Sequence, residues 1–308
     1  MTDKNPTVYI ILPVYNCEKY FLEQLMSIYY QNYEKRFLII VNDWSTDKSW
    51  EIAKNFVEDY KIEKKVKIIT KENWWVNSAI TRWLEELKKI VDVYRDDVLI
   101  AYCDADDIWT REKLAIQVAH MQSHPECDLS YHDTVGIDEN WILTNPSLHK
   151  LAYHDDSFFY LSTIGPHMWS SEMMFRPKKY IDYILPLPTW VWMYQDYRTS
   201  LVISLWGWKF GFIDKKLGSY RSGHTSLTNS VKTLNTNSWL SYFTNLQKRF
   251  PDKDLSYVIS CCKDKFSIKK KWHSLVYTYF VMLFKYPKVF FLWLKAVLYK
   301  ILRFGRLK

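Results

Sequence analysis

Glycine is what this chain most conspicuously lacks. Seven occur in 308 residues, where average usage would supply roughly 22. Glycine reaches positive φ freely and lets a backbone approach a ligand closely, so tight turns here fall to other residues. Tryptophan, by contrast, occurs 15 times. The five cysteines (Cys17, Cys103, Cys127, Cys261, Cys262) are odd in number and lack zinc spacing. Adjacent Cys261 and Cys262 make no plausible clip, which points to reduced thiols and a cytoplasmic setting. The uncharged run Leu275–Phe284 is ten residues long, half of the about 20 that a spanning helix needs. Asp3, Lys4 and Asn5 lead straight into a strand pattern rather than a secretory leader. Acids are nearly missing from the end of the chain. Residues 263–308 hold twelve Lys/Arg against Asp264 alone, while 1–262 hold 30 against 33 Asp/Glu. Basic character therefore belongs to the tail, which argues against nucleic acid as a partner of the main body.

What is present is an alternation of buried-type strands and helices. Apolar, β-branched runs at Thr7–Leu12, Phe37–Val41, Val66–Thr70 and Val98–Cys103 read as strands. Helical stretches follow at Glu18–Tyr30, to about Tyr60 with Ser45 or Thr46 as cap, at Asn77–Val91 and at Glu112–Ser123. This order predicts a parallel sheet with helices on both faces. In such sheets ligands bind beyond the carboxyl ends of the strands, where Asn16, Asp43, Asn73 and Asp104 fall. After a strand at Leu129–Thr134, His132 to Gly165 reads as polar and irregular. Short strands are expected at Met173–Phe175, Phe210–Ile213 and Leu217–Tyr220, a helix at Asp196–Leu205, and helices beyond Asn235.

The fourth strand ends in Asp104, Asp106 and Asp107. Carboxylates crowded at a strand end repel one another, and Asp is a weak strand former. A divalent cation relieves the repulsion, and Mg²⁺ typically takes one or two carboxylates plus substrate phosphates. A metal–diphosphate site at the sheet edge is the reading this pattern favours.

Ile-Leu-Pro-Val-Tyr-Asn (11–16), Val-Asn-Asp-Trp-Ser-Thr-Asp (41–47) and Asp-Ala-Asp-Asp-Ile-Trp (104–109) together resemble the family 2 glycosyltransferases of the GT-A fold, over about residues 6–225. The resemblance implies a Rossmann-like, mostly parallel mixed sheet with helices on both faces, plus a C-terminal helical extension. It implies a GT-A domain over 1–230, with a nucleotide-sugar half at 1–130 and an acceptor half at 131–230, and a basic helical tail at 231–308. It further implies an inverting transfer from a UDP- or dTDP-sugar, assisted by Mg²⁺ or Mn²⁺, to a glycan or lipid-linked acceptor in cell-surface polysaccharide synthesis. By position, Pro13, Tyr15 and Asn16 would line the nucleotide pocket, with Asn73 on the third loop. Asp43 would bond the base, Asp104 the ribose or metal shell, and Asp106 the metal. Asp196 would be the general base. Arg221 and His224 would close over the diphosphate, His224 as a metal ligand.

One departure from the family is systematic. Trp44, Trp75 and Trp83 stand where the family has glycine, and Trp74, Trp141 and Trp169 where a turn glycine would be ordinary. Ile80 and Thr81 replace the family's Arg-Asn. Some bacterial lineages read UGA as glycine, and a UGA-to-Trp translation of such a gene would produce this pattern. Trp109 is exempt, because the family commonly has Trp there. A catalytically impaired sugar-nucleotide-binding relic is the second reading. A nucleotidyltransferase would carry a glycine-rich phosphate loop after the first strand, where this chain reads Pro-Val-Tyr-Asn-Cys-Glu.

In the tail, Lys288, Lys295, Lys300, Arg303 and Arg306 fall within an arc of roughly 140° on a helix. Phe290, Phe291, Leu294, Leu298, Ile301 and Leu302 lie opposite. A cationic face, an apolar face and aromatics describe a helix lying on an anionic membrane surface. Residues 270–308 are thus expected to hold the protein peripherally at the inner face of the cell membrane.

Overall fold

The computed structural model describes residues 5–70, 76–148, 168–179, 181–184, 195–205, 207, 209–222, 236–252, 254–256, 259–260, 291 and 294. The chain divides into two compact units. One comprises 1–150, 168–189 and 208–226, and the other 151–167, 190–207 and 227–308. The units interleave along the sequence, whereas the expected division was a single cut after 230.

The first unit is built on a sheet of nine strands among the described residues. Four come from the expected alternation: β1 (Thr7–Val14), β2 (Arg36–Asn42), β3 (Val66–Thr70) and β4 (Val98–Tyr102). Helices α1 (Glu18–Tyr29), α2 (Ser49–Asp59) and α3 (Val76–Ile90) connect them. Further along lie β5 (Ile108–Trp109), α4 (Lys113–Ser123), β6 (Cys127–Ile137), β7 (Leu143–Asn145), β8 (Met174–Phe175), α5 (Ile181–Ile184) and β9 (Lys209–Arg221). The sheet order is β3-β2-β1-β4-β8-β6-β9-β5, with β7 beside β6. β3, β2, β1 and β4 pair parallel, as do β6 and β9. The antiparallel joints β4–β8, β8–β6, β9–β5 and β6–β7 each span only two residue pairs.

The core follows from the strand sequences. β1 and β4 are covered on both faces, so they read as unbroken apolar runs. Val8, Ile10 and Leu12 of β1 pack with Phe21, Leu25 and Ile28 of α1 and Phe56 of α2. Tyr102 of β4 meets Trp83 of α3 edge-on at 5.8 Å and Phe175 of β8 at 5.3 Å. Each such fully buried side chain contributes about 1.5–3 kcal/mol.

Three local expectations are corrected. α2 starts at Ser49 with Lys48 at its N-cap, because Ser45, Thr46 and Asp47 are engaged in a turn described below. The two short strands expected within 210–220 are one 13-residue strand, β9, which follows β6 through register shifts near His132 and Asp133. The region from His132, expected to be irregular, continues β6 to Ile137 and turns into β7. His132 itself is buried, with Nδ1 2.8 Å from the Asp133 carbonyl.

The second unit contains α6 (Gln195–Leu205) and α7 (Thr236–Arg249) among its described residues. Among the described residues, no helix is long and apolar enough to cross a membrane. The expected membrane helix at 270–308 lies outside the described residues, apart from Phe291 and Leu294.

Candidate active site

The strand order reverses at β1. The chain moves outward from β1 to β2 and β3, then returns to place β4 on the other side of β1. The carboxyl ends of β1 and β4 therefore flank a topological switch point, the usual ligand crevice of such sheets. Pro13, Tyr15 and Asn16 are at the end of β1, Asp43 at the end of β2 and Asp104 to Asp107 at the end of β4.

The first two ends are laced together. The Thr46 N–H donates to Asn16 Oδ1 at 2.8 Å, and the Asn16 N–H to Ser45 Oγ at 3.2 Å. The N–H groups of Glu18 and Ser49 both donate to the Asp47 carboxylate at 2.9 Å. Lys48 N–H donates back to Glu18 Oε2 at 2.9 Å. Burial pushes Asp47 up, but these hydrogen bonds outweigh it and hold its carboxyl below the ordinary value. Asp43 is buried, and its N–H donates to the Val14 carbonyl at 2.9 Å. Tyr15 is exposed beside it.

Two residues of this rim have unusual backbones. Asn16 has φ 46°, which a short polar side chain tolerates, and Trp44 has φ 58°, which a bulky residue seldom adopts. A third is Trp141, φ 66°, in the turn from β6 to β7. There Asp138 Oδ1 accepts from the N–H groups of Asn140 and Ile142, and the Trp141 N–H donates to the Asp138 carbonyl. This is a hairpin turn with its left-handed position occupied by Trp, where glycine is the usual choice. Trp83 differs: it is helical and fully buried, so its backbone does not ask for glycine. Trp169 has φ −105°, which any residue adopts. Trp74 and Trp75 lie outside the described residues, as does Asn73.

The acidic loop after β4 does not gather all three carboxylates outward. Asp104 and Asp106 are half-buried, while Asp107 is buried and its Oδ1 accepts from the Arg221 N–H at 3.3 Å. Burial first, and the neighbouring Asp106 charge second, push the Asp107 carboxyl well above its ordinary value. The reading of three carboxylates sharing one site is thereby corrected to two half-buried carboxylates and one buried against β9. Among the described residues no three metal-ligating side chains cluster. Asp104 and Asp106 still supply the hard oxygen donors that Mg²⁺ or Mn²⁺ prefers, in the small number that leaves room for phosphate oxygens. The loop is anchored from outside: the Asp104 N–H donates to Ser171 Oγ at 2.8 Å, and Trp109 Nε1 to the Ser171 carbonyl at 3.1 Å.

Arg221 was expected over the diphosphate. Its side chain is instead 1% exposed and turned beneath the acidic loop. Asp196 is the second residue of α6, in the other unit; its side chain lies outside what is described. His224 is also outside the described residues.

Sequence reasoning missed Ser171, Glu23 and Lys113. Lys113 is fully buried at the start of α4, with Nζ donating to Gln117 Oε1 at 2.6 Å and lying 3.9 Å from the Trp109 ring centroid. Burial outweighs the opposing influence of Cys103 and Glu172 and lowers its pKa to about 7. No sequence signal distinguishes Lys113 from a solvated lysine in a helix's first turn.

The fold is that of the nucleotide-sugar-dependent GT-A glycosyltransferases. Over 82% of this chain and 70% of its own, the Staphylococcus aureus TarS fragment 1–349, solved with UDP-GlcNAc, is similar at TM-score 0.58 and 16% identity. The Pyrobaculum calidifontis mannosyltransferase PcManGT, solved with GDP-Man and Mn²⁺, is similar at TM-score 0.55 and 13% identity, over 97% of this chain and 87% of its own. The chain belongs to glycosyl transferase family 2, whose model matches residues 9–184. Among curated relatives, the Escherichia coli UDP-Glc:α-D-GlcNAc-diphosphoundecaprenol β-1,3-glucosyltransferase WfaP is 32% identical over 116 residues, 38% of this chain and 41% of WfaP.

Proposed function

We propose that this transferase moves a sugar, with inversion, from a UDP- or dTDP-sugar to a hydroxyl of a glycan or lipid-linked acceptor in cell-surface polysaccharide synthesis. The observation that carries the reading is that Asp104 and Asp106 stand half-buried at the strand end flanking the switch point. The UDP-GlcNAc bound by TarS and the UDP-Glc and lipid diphosphate in the name of WfaP support the donor and acceptor classes, and the GDP-Man bound by PcManGT supports the wider nucleotide-sugar class alone.

Each residue has a chemical task in this reading. Pro13, Tyr15, Asn16 and Asp43 hold the nucleotide, joined by Asn73. Asp104 bonds the ribose or the metal's shell. Asp106, with His224, would hold Mg²⁺ or Mn²⁺. The cation, when bound, neutralises charge building on the departing diphosphate. Asp196 takes the proton of the acceptor hydroxyl as it attacks. The tail 270–308 keeps the protein peripherally on the inner membrane surface, where a lipid-linked acceptor resides.

Trp44 and Trp141 are read as glycine in the organism. Their positive φ values, with about half of each side chain exposed and little burial to offset the strain, support this. Trp83, helical and buried, has no backbone strain to add to that support. UGG codons at 44 and 141, or Trp at those positions in peptides of the native protein, would end the idea.

The test of function is a donor-panel hydrolysis screen with Mn²⁺ and Mg²⁺, on the chain as given and on Trp44→Gly. Hydrolysis of one nucleotide sugar, abolished in Asp106→Ala and Asp196→Ala, is the expected result. Donor binding without turnover under any condition would favour the relic.

A further inference from the structure

Arg221 ends β9, yet its guanidinium reaches three separate segments. Nε donates to the Asp106 main-chain carbonyl at 3.1 Å, Nη1 to the Asp138 carbonyl at 3.4 Å, and Nη2 to Glu23 Oε2 at 2.8 Å. The Tyr20 ring stacks on it at 4.5 Å and the Trp141 ring at 5.0 Å. Its own N–H holds Asp107. With 1% of its side chain exposed, it keeps no open face for a diphosphate.

We infer that Arg221, held by Glu23, is the positioning residue of the metal-binding loop. It fixes the main chain of Asp106 and the side chain of Asp107 together, while the Asp106 side chain is only half-buried. A ligand whose backbone is already fixed loses less freedom when a cation arrives. The flat fork is essential to this, because one group must serve a carbonyl on the acidic loop, a carbonyl on the β6–β7 turn and a carboxylate on α1. A lysine would keep the charge and lose the span. Trp141 is not needed: without its ring, the Glu23, Asp106, Asp138 and Tyr20 contacts remain.

This inference rests on the metal reading above, and the experiment separates the two. Mn²⁺ alone, without donor, is titrated into the full chain, Arg221→Lys and Glu23→Ala, followed by electron paramagnetic resonance. Hydrogen exchange of the 104–109 segment is measured in the metal-free proteins. The expected result is an Mn²⁺ dissociation constant about 10–100-fold higher in Arg221→Lys, a smaller rise in Glu23→Ala, and faster exchange at 104–109 in both. Glu23 is 43% exposed in its side chain, so Glu23→Ala keeps the test open if Arg221→Lys fails to fold. Unchanged Mn²⁺ affinity with weakened donor binding would make Arg221 a diphosphate ligand and overturn the inference. A lower melting temperature with unchanged affinity and exchange would make its contacts merely structural, with the same consequence. If the unaltered chain takes up no Mn²⁺, the metal reading fails, and the exchange data alone then decide whether Arg221 holds the loop.

Discussion

The two halves of the sheet solve the same problem differently. In the parallel half, β3-β2-β1-β4, strands β1, β2 and β4 deliver polar residues directly into the turns that follow, as Asn16, Asp43 and Asp104 show. In the other half β6 and β9 share a long parallel ladder, but the antiparallel joints are two residue pairs long, and single side chains such as Arg221 and Ser171 tie the loops at the strand ends. Strands held by a long ladder tolerate loss of one side chain, whereas loops tied by individual polar groups do not. The contrast also separates what presents the candidate ligands from what holds them still.

The sharpest way to break this comparison is at Asp106. Asp106→Ala is expected to lower turnover by about 10²–10³-fold, the scale of losing one charge-stabilising group in an active site. Steady-state kinetics with saturating Mn²⁺ would check it, and a loss below tenfold would shift the weight to other ligands.

Next in size are the tryptophans, where opposite signs are expected. Trp83→Gly should destabilise by about 3–5 kcal/mol, because it empties a fully buried site. Trp44→Gly should stabilise by about 1 kcal/mol, since a left-handed non-glycine residue costs roughly 1–2 kcal/mol and Trp44 is 51% exposed. Urea unfolding of both variants reads the difference directly.

Lys113 offers a pH test. Its folded pKa lies below its unfolded one, about 7 against 10.5. The fold therefore bears the full cost of its charge below pH 7, and that cost fades as pH rises toward 10.5. Lys113→Met should stabilise the protein by about 1–3 kcal/mol at pH 6–7 and flatten the rise in stability between pH 7 and 10. Melting curves across that range would check it, and a parallel shift at every pH would contradict it.

The smallest effect is expected at Ser171. Ser171→Ala removes the hydroxyl accepting from the Asp104 N–H and should cost about 1 kcal/mol, with donor KM rising more than kcat falls. An equal loss in both parameters would place Ser171 outside the comparison.

The parallel half was legible in the sequence because β1, β2 and β4 are largely buried and read as unbroken apolar runs ending at Pro13, Asn42 and Asp104. The family was legible because its motifs sit on turns whose chemistry is local. The rest depends on contacts far apart in sequence. Nothing local marks Glu23 as the partner of Arg221, 198 positions away, or Ser171 as the anchor of Asp104. The inward turn of Asp107 was hidden for the same reason, since three adjacent acids look alike until β9 supplies a donor to one of them. The two-residue strand β5 carries too little pattern to be read, and β7, at three residues, hardly more, whereas the equally short β8 was expected at Met173–Phe175.

The central claim is that Asp106, with Asp104 beside it, holds a cation against the diphosphate of a nucleotide sugar. Calorimetric titration of UDP into the full chain, with and without Mn²⁺, and into Asp106→Asn, tests it most directly. The account predicts binding that is strengthened at least about tenfold by Mn²⁺ in the unaltered protein, with the gain abolished in the variant. UDP affinity indifferent to Mn²⁺, or equally enhanced in Asp106→Asn, would contradict it.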